Sequence, residues 1–244
     1  MDKLQLLRGQ DYVITKYLKI HQPTLDEIFH YGEETYYAMV TTLTAIPSDM
    51  KSVLADMGID YTKISEFELF CNFLRYLPPS TTSILFGKNI DLASLSMFYD
   101  NINQEKILCK ANEDKTINQN SVYINEPIYM MMADYIREMH GFQKKIENPG
   151  NEHTKKILID EDRNNRKQNK DKPFESALYP LILAMVNCSD FPYTFETVWK
   201  LPISVFISSV KQVLKLKNVG YIMHGIYSGT VDPKKIDQDE LKWI

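Results

Sequence analysis

Three residues have the types and order for metal-assisted hydrolysis: Asp100, then Glu113 and Lys115. Two carboxylates can hold magnesium and a lysine beside them can help activate water, the arrangement of a metal-dependent nuclease. That chemistry needs its groups on a rigid strand, whereas Asn112-Glu113-Asp114 reads as a turn. So short a pattern recurs by chance, and a non-catalytic turn is preferred to the nuclease.

A second set, His30, Glu33 and Glu34, has the i, i+3, i+4 spacing that places metal ligands on one helix face. Gly32 weakens the helix there and no further histidine follows at ligand spacing, so the set reads as a polar surface cluster. His21, His140, His153 and His224 are scattered and form no triad or zinc pattern. The acidic runs 160–162 and 237–240 lack the glycine and spaced oxygens of a calcium loop. The cations from Lys144 to Lys172 are interleaved with carboxylates, which dilutes any phosphate-binding face. No phosphate loop, dinucleotide fingerprint or nucleophile elbow occurs. The expectation is a chain with no catalytic residue, no metal and no cofactor.

Composition agrees with an ordinary globular protein. The 244 residues are 44% hydrophobic and 25% charged, with a net charge of -4, which argues against nucleic acid as partner. Nine glycines are few, while fifteen tyrosines and eleven phenylalanines favour cores and interfaces. Cys71, Cys109 and Cys188 are odd in number and far apart, so reduced, buried thiols are expected. The first residues lack the apolar core of a secretory signal, and no apolar run reaches the roughly 20 residues of a membrane helix. No membrane partner is expected, and the location expected is the cytoplasm.

Several elements are legible. The loosely alternating Asp11–Ile20 reads as a strand or hairpin arm, and Thr24 with Glu27 as a capping box. The helical run that follows is interrupted at Gly32, giving one kinked helix or two short ones. Pro47-Ser48-Asp49 opens a short helix that stops at Gly58, and Ser65 with Glu68 opens an aromatic helix closed by Pro78-Pro79. Ser83–Ile90, Glu105–Ala111 and Ser121–Ile124 read as strands of a small antiparallel sheet, with the N-terminal arm as a further candidate strand. A long helix is expected over Glu126–Ile146, and another over Val219–Ile226.

The chain is organised around two stretches near its end. Phe174–Val186 is apolar on nearly every side, the mark of a central core helix, with Pro180 either in its first turn or kinking it. Pro202–Lys217 is amphipathic and is expected to lie on that helix, with Phe191, Tyr193, Phe195 and Trp199 filling the corner. The fold class is mainly α, with a small antiparallel β insertion in the middle. The segments are 1–80, an N-terminal arm and helices; 81–148, the β insertion and long helix; 149–172, a polar linker or solvated helix; and 173–244, a helical core. Trp199, Tyr227 and Trp243 are the candidates for a partner-binding surface, with core packing the competing role of each.

Three stretches together resemble a known group. They are Gly32-Glu-Glu-Thr-Tyr-Tyr37 to Pro47-Ser-Asp-Met-Lys51; Gly58-Ile-Asp-Tyr61 with Glu68-Leu-Phe70; and Gly225 to Ile236 with the Leu-Lys-Trp-Ile244 end. This order is similar to proteins from tail gene blocks of phages and prophages of Gram-positive bacteria, some of which look like tail assembly chaperones. The resemblance covers most of the chain and rests on caps and core positions, so it brings no catalytic residue. It implies a role in virion morphogenesis, with the tape-measure protein and tail-tube subunits as partners. Such a chaperone would work in the host cytoplasm; the alternative is a permanent virion component of the tail or connector. Self-association into a homo-oligomer is compatible with both.

Overall fold

Side-chain caps start two of the helices at the capping boxes seen in the sequence, Thr24 with Glu27 and Ser65 with Glu68. The computed structural model describes residues 3–100, 103–112, 116, 118 and 121–242. Lys3–Leu7 forms α1, and Tyr12–Thr15 (β1) pairs with Leu18–Ile20 (β2) in an antiparallel hairpin. Helix α2, Leu25–Tyr31, opens with the expected box: Thr24 accepts from the Glu27 amide at 3.2 Å, and the Glu27 carboxylate accepts from the Thr24 amide at 2.7 Å. Gly32 takes φ +98°, a conformation open to a residue without a Cβ, and divides the apolar run. Helix α3, Glu33–Thr44, begins directly after it.

A 3-10 turn, Pro47–Met50, leads into α4, Lys51–Asp56. The second capping box, Ser65 with Glu68, opens α5, Glu66–Leu69, which continues as a π-helical turn through Leu74. Pro79–Phe86 forms α6, so the β reading of Ser83–Ile90 is corrected. Pro79 suits a first helical turn, and Thr82, Leu85 and Phe86 are buried at i, i+3 and i+4, which overrides the β preference of Thr and Ile.

The small sheet consists of Ser96–Asp100 (β3), Glu105–Cys109 (β4) and Tyr123–Ile124 (β5), antiparallel in that order. The N-terminal hairpin is a separate sheet. Helix α7, Glu126–His140, starts under the Asn125 side chain and stops at Gly141 (φ +70°), short of Ile146. Glu152–Asn169 is α8, a helix with no buried residue. Leu178–Val186 is α9, with Pro180 in its first turn, and Ile203–Tyr227 is α10. The last of these spans 25 residues and absorbs the separate helix expected at Val219–Ile226. The architecture is mainly α with a small antiparallel sheet in the middle.

The central helix is α7, where Tyr129, Met132, Tyr135, Ile136 and Met139 are fully buried. Helices α3, α5 and α10 pack on it, as do β1 and β5. The expectation that α9 is the central core helix is thus corrected. It buries Leu178, Ile182 and Met185 but leaves Tyr179 and Leu183 exposed. Helix α10 packs mainly on α7 and α1; Phe191, 6.3 Å from Phe206 between ring centroids, links it to the segment after α9. One buried polar hub ties the ends of the chain to the centre. Gln22 Nε2 donates to Tyr135 Oη at 2.6 Å and to the carbonyls of Gln5 and Gln10 at 3.2 and 3.0 Å. Ser204 donates to Gln22 Oε1 and reaches the Leu6 carbonyl at 2.9 Å. Cys71, Cys109 and Cys188 are free thiols and buried. Among the described residues no helix is long and apolar enough to cross a membrane.

Candidate functional site

The surplus apolar surface of α9 forms one wall of an open groove of about 490 Å³. Phe29 from α2, Tyr179 and Leu183 from α9, and Phe195 with Trp199 from the following segment face it. Phe29, Tyr179 and Phe195 are each more than half exposed, an unusual concentration of large apolar side chains on a surface. Glu33 and Ser176 supply the polar lining.

Both walls are held by hydrogen bonds. On one side the backbone joins α2 to the segment before α10: the Leu25 amide donates to the Leu201 carbonyl at 3.0 Å, and the Ile203 amide to the Pro23 carbonyl at 2.9 Å. This places the Trp199 ring 5.8 Å from that of Phe29, tilted by 60°. On the other side Glu33 caps α9. Its carboxylate accepts from the Leu178 amide at 2.9 Å and the Ser176 hydroxyl at 2.5 Å. A carboxylate suits that end because the unpaired amides there carry partial positive charge.

The groove can take up an apolar helix or extended segment, and its two polar side chains, Glu33 and Ser176, bond to each other and to the start of α9. Of the surface candidates, Trp199 is half-buried and lines the groove. Tyr227 lies elsewhere, at the far end of α10 and 80% exposed, and Trp243 falls outside the described residues. Phe29, Tyr179, Leu183 and Phe195 were missed as surface residues. The available signal was that α9 is apolar all round, which reads as burial unless its location is known.

Asp100 ends β3 and accepts from Asn103 Nδ2 at 2.8 Å, while Glu113 and Lys115 fall outside the described residues. His30 bonds the Asp26 carbonyl through Nδ1 at 2.9 Å, Glu33 caps α9, and Glu34 is exposed. No group of three or more potential ligands assembles among the described residues. Much of the basic interlude is tied into ion pairs: Lys144 with Glu66 and Asp134, Lys155 with Asp60, Arg163 with Asp56, and Arg166 with Asp162. Burial pushes the Cys71 thiol up to about 11 and also raises that of Cys109, so neither is an activated thiolate. Comparison with protein-family models, with curated proteins and with solved structures returned no match for this chain.

Proposed function

We propose that the chain is a non-enzymatic phage tail morphogenesis protein, an assembly chaperone. In the host cytoplasm it holds an apolar helical segment of the tape-measure protein and brings tail-tube subunits to it. The observation that carries this reading is the exposed groove, whose wall of Phe29, Tyr179, Leu183, Phe195 and Trp199 suits the apolar face of a helix. The ordered resemblance to tail-block proteins supplies the identity of the client. Aromatic anchors in a desolvated groove are the usual centres of binding energy.

Co-expression with the long coiled-coil protein of the neighbouring gene tests the proposal. Co-purification that Trp199→Ala weakens is the expected result; no co-purification with the unaltered chain overturns it. Mass spectrometry of purified virions then distinguishes a chaperone, which leaves before maturation, from a permanent component of the tail or connector.

A further inference from the structure

The second half of α10 is itself an unusual surface. From Leu214 to Tyr227 the helix leaves the body, with Leu214 59%, Leu216 37%, Tyr221 75% and Tyr227 80% exposed. Leu214 and Tyr221 are seven apart and share one flank, while Leu216 and Tyr227, eleven apart, share another. Among the described residues the returning C-terminal segment covers one side of the arm, with Val231 beside Gly225 and the turn at 238–241 against the helix, and leaves these two flanks open.

Charge points to the cover. The helix carries no carboxylate over its whole length, and the arm itself bears Lys215 and Lys217. The groove is acidic at its edges: Glu33 lines it, and Asp26, Glu34, Glu175 and Glu196 are exposed next to lining residues, against Lys200 and His30. One chain thus bears a convex apolar arm that is basic and a concave apolar groove that is acidic. The two cannot meet within one molecule. The groove adjoins the start of α10, and the arm begins about 16 Å and ends about 36 Å further along the same helix.

We propose that the α10 arm of one copy occupies the Phe29–Trp199 groove of a second copy. The contact is heterologous, since the arm and groove of each molecule face different neighbours, so it builds rings or chains. Lysines on the arm and carboxylates at the groove edge set its orientation and make it sensitive to salt. It shares the groove with the client of the chaperone reading, which would have to displace the arm.

Sedimentation of the full chain over a dilution series tests this. Self-association that weakens on dilution and in high salt is expected. Tyr221→Glu in the arm and Leu183→Glu in the groove should each give a monomer with unchanged far-ultraviolet circular dichroism. Leu214→Asp with Phe29→Asp is a second pair if either fails to fold. Mixed, an arm variant and a groove variant retain one intact arm and one intact groove, and should form a one-to-one dimer and nothing larger. A chain monomeric at every concentration, an oligomer that both variants leave intact, or a mixture that stays monomeric overturns the proposal. A monomer that still retains the tape-measure protein sinks this inference alone; a self-associating chain that retains no client sinks the chaperone reading alone.

Discussion

Tyr36 and His140, 104 residues apart in sequence, share a 2.7 Å hydrogen bond in the buried core. His140 Nδ1 donates to the Ile136 carbonyl at 2.7 Å, so Nε2 is the acceptor for the Tyr36 hydroxyl. The pair joins α3 to α7 and requires a neutral imidazole. Burial holds the His140 pKa down, from 6.5 to about 4, and raises that of Tyr36 well above its ordinary range.

This pair makes stability depend on pH in mild acid. As pH falls below 6.5 the unfolded chain takes up the His140 proton before the folded one does. Stability present above pH 6.5 is therefore lost as pH falls to about 4, by an amount of roughly 3 kcal/mol. Urea midpoints across that window should show the loss, and His140→Gln should flatten the slope. An unchanged slope in the variant would assign the dependence to other groups. Asp60, held well below the usual carboxylate range by hydrogen bonds from Lys155 and Thr62, weakens the fold only at lower pH.

Gln22→Ala should be among the most destabilising substitutions outside the apolar core. Gln22 is 1% exposed, and its loss takes a donor from the Gln5 and Gln10 carbonyls and from the Tyr135 hydroxyl, while Ser204 keeps the Leu6 carbonyl. Uncompensated groups of this kind cost about 1–3 kcal/mol each, so a loss of about 3 kcal/mol in chemical denaturation is expected. A loss below about 1 kcal/mol would mean that water replaces the side chain.

Helix α8 should detach before the rest of the fold when salt is raised. It buries no residue fully, packs Ile159 against the core, and is otherwise held to α4 and the loop after it by polar contacts: Lys155 to Asp60 and Arg163 to Asp56 at 2.7 Å, and Asp162 accepting from the Ser52 amide at 3.1 Å and from its hydroxyl. At about 1 M salt the screening length falls to about 3 Å, which weakens the exposed Arg163–Asp56 pair most and the partly buried Lys155–Asp60 pair less. Hydrogen exchange should quicken in α8 while α7 stays protected; equal loss in both would overturn the idea.

The groove should depend on Glu33 for its shape and on Phe29 for its affinity. Glu33→Ala removes the acceptor of the Leu178 amide, leaving Ser176 on the Tyr179 amide, and should cost about 1 kcal/mol, with faster amide exchange at the start of α9. Phe29→Asp, at a side chain 66% exposed, should cost less than about 0.5 kcal/mol in stability. It should nonetheless weaken capture of an apolar helical client by tenfold or more, roughly 1.4 kcal/mol. Equal capture by Phe29→Asp and the unaltered chain would move the client elsewhere.

Local features were legible in the amino-acid sequence because they depend on neighbours in the chain. Thr24 with Glu27, Ser65 with Glu68, the break at Gly32 and the stop at Gly58 follow from side-chain oxygens three residues from an amide and from glycine's tolerance of positive φ. The mainly α class follows from the same periodicity. What only the tertiary structure decided is which apolar helix is covered. Helices α7 and α9 are both rich in apolar residues, yet α7 lies under α3, α5 and α10, while α9 stands at an edge with Tyr179 and Leu183 in solvent. Composition measures how much apolar surface a helix has, and burial depends on what packs against it from distant parts of the chain. The same holds for the site: Phe29 and Trp199 are 170 positions apart, and only the backbone bonds between Pro23–Leu25 and Leu201–Ile203 bring them to one groove.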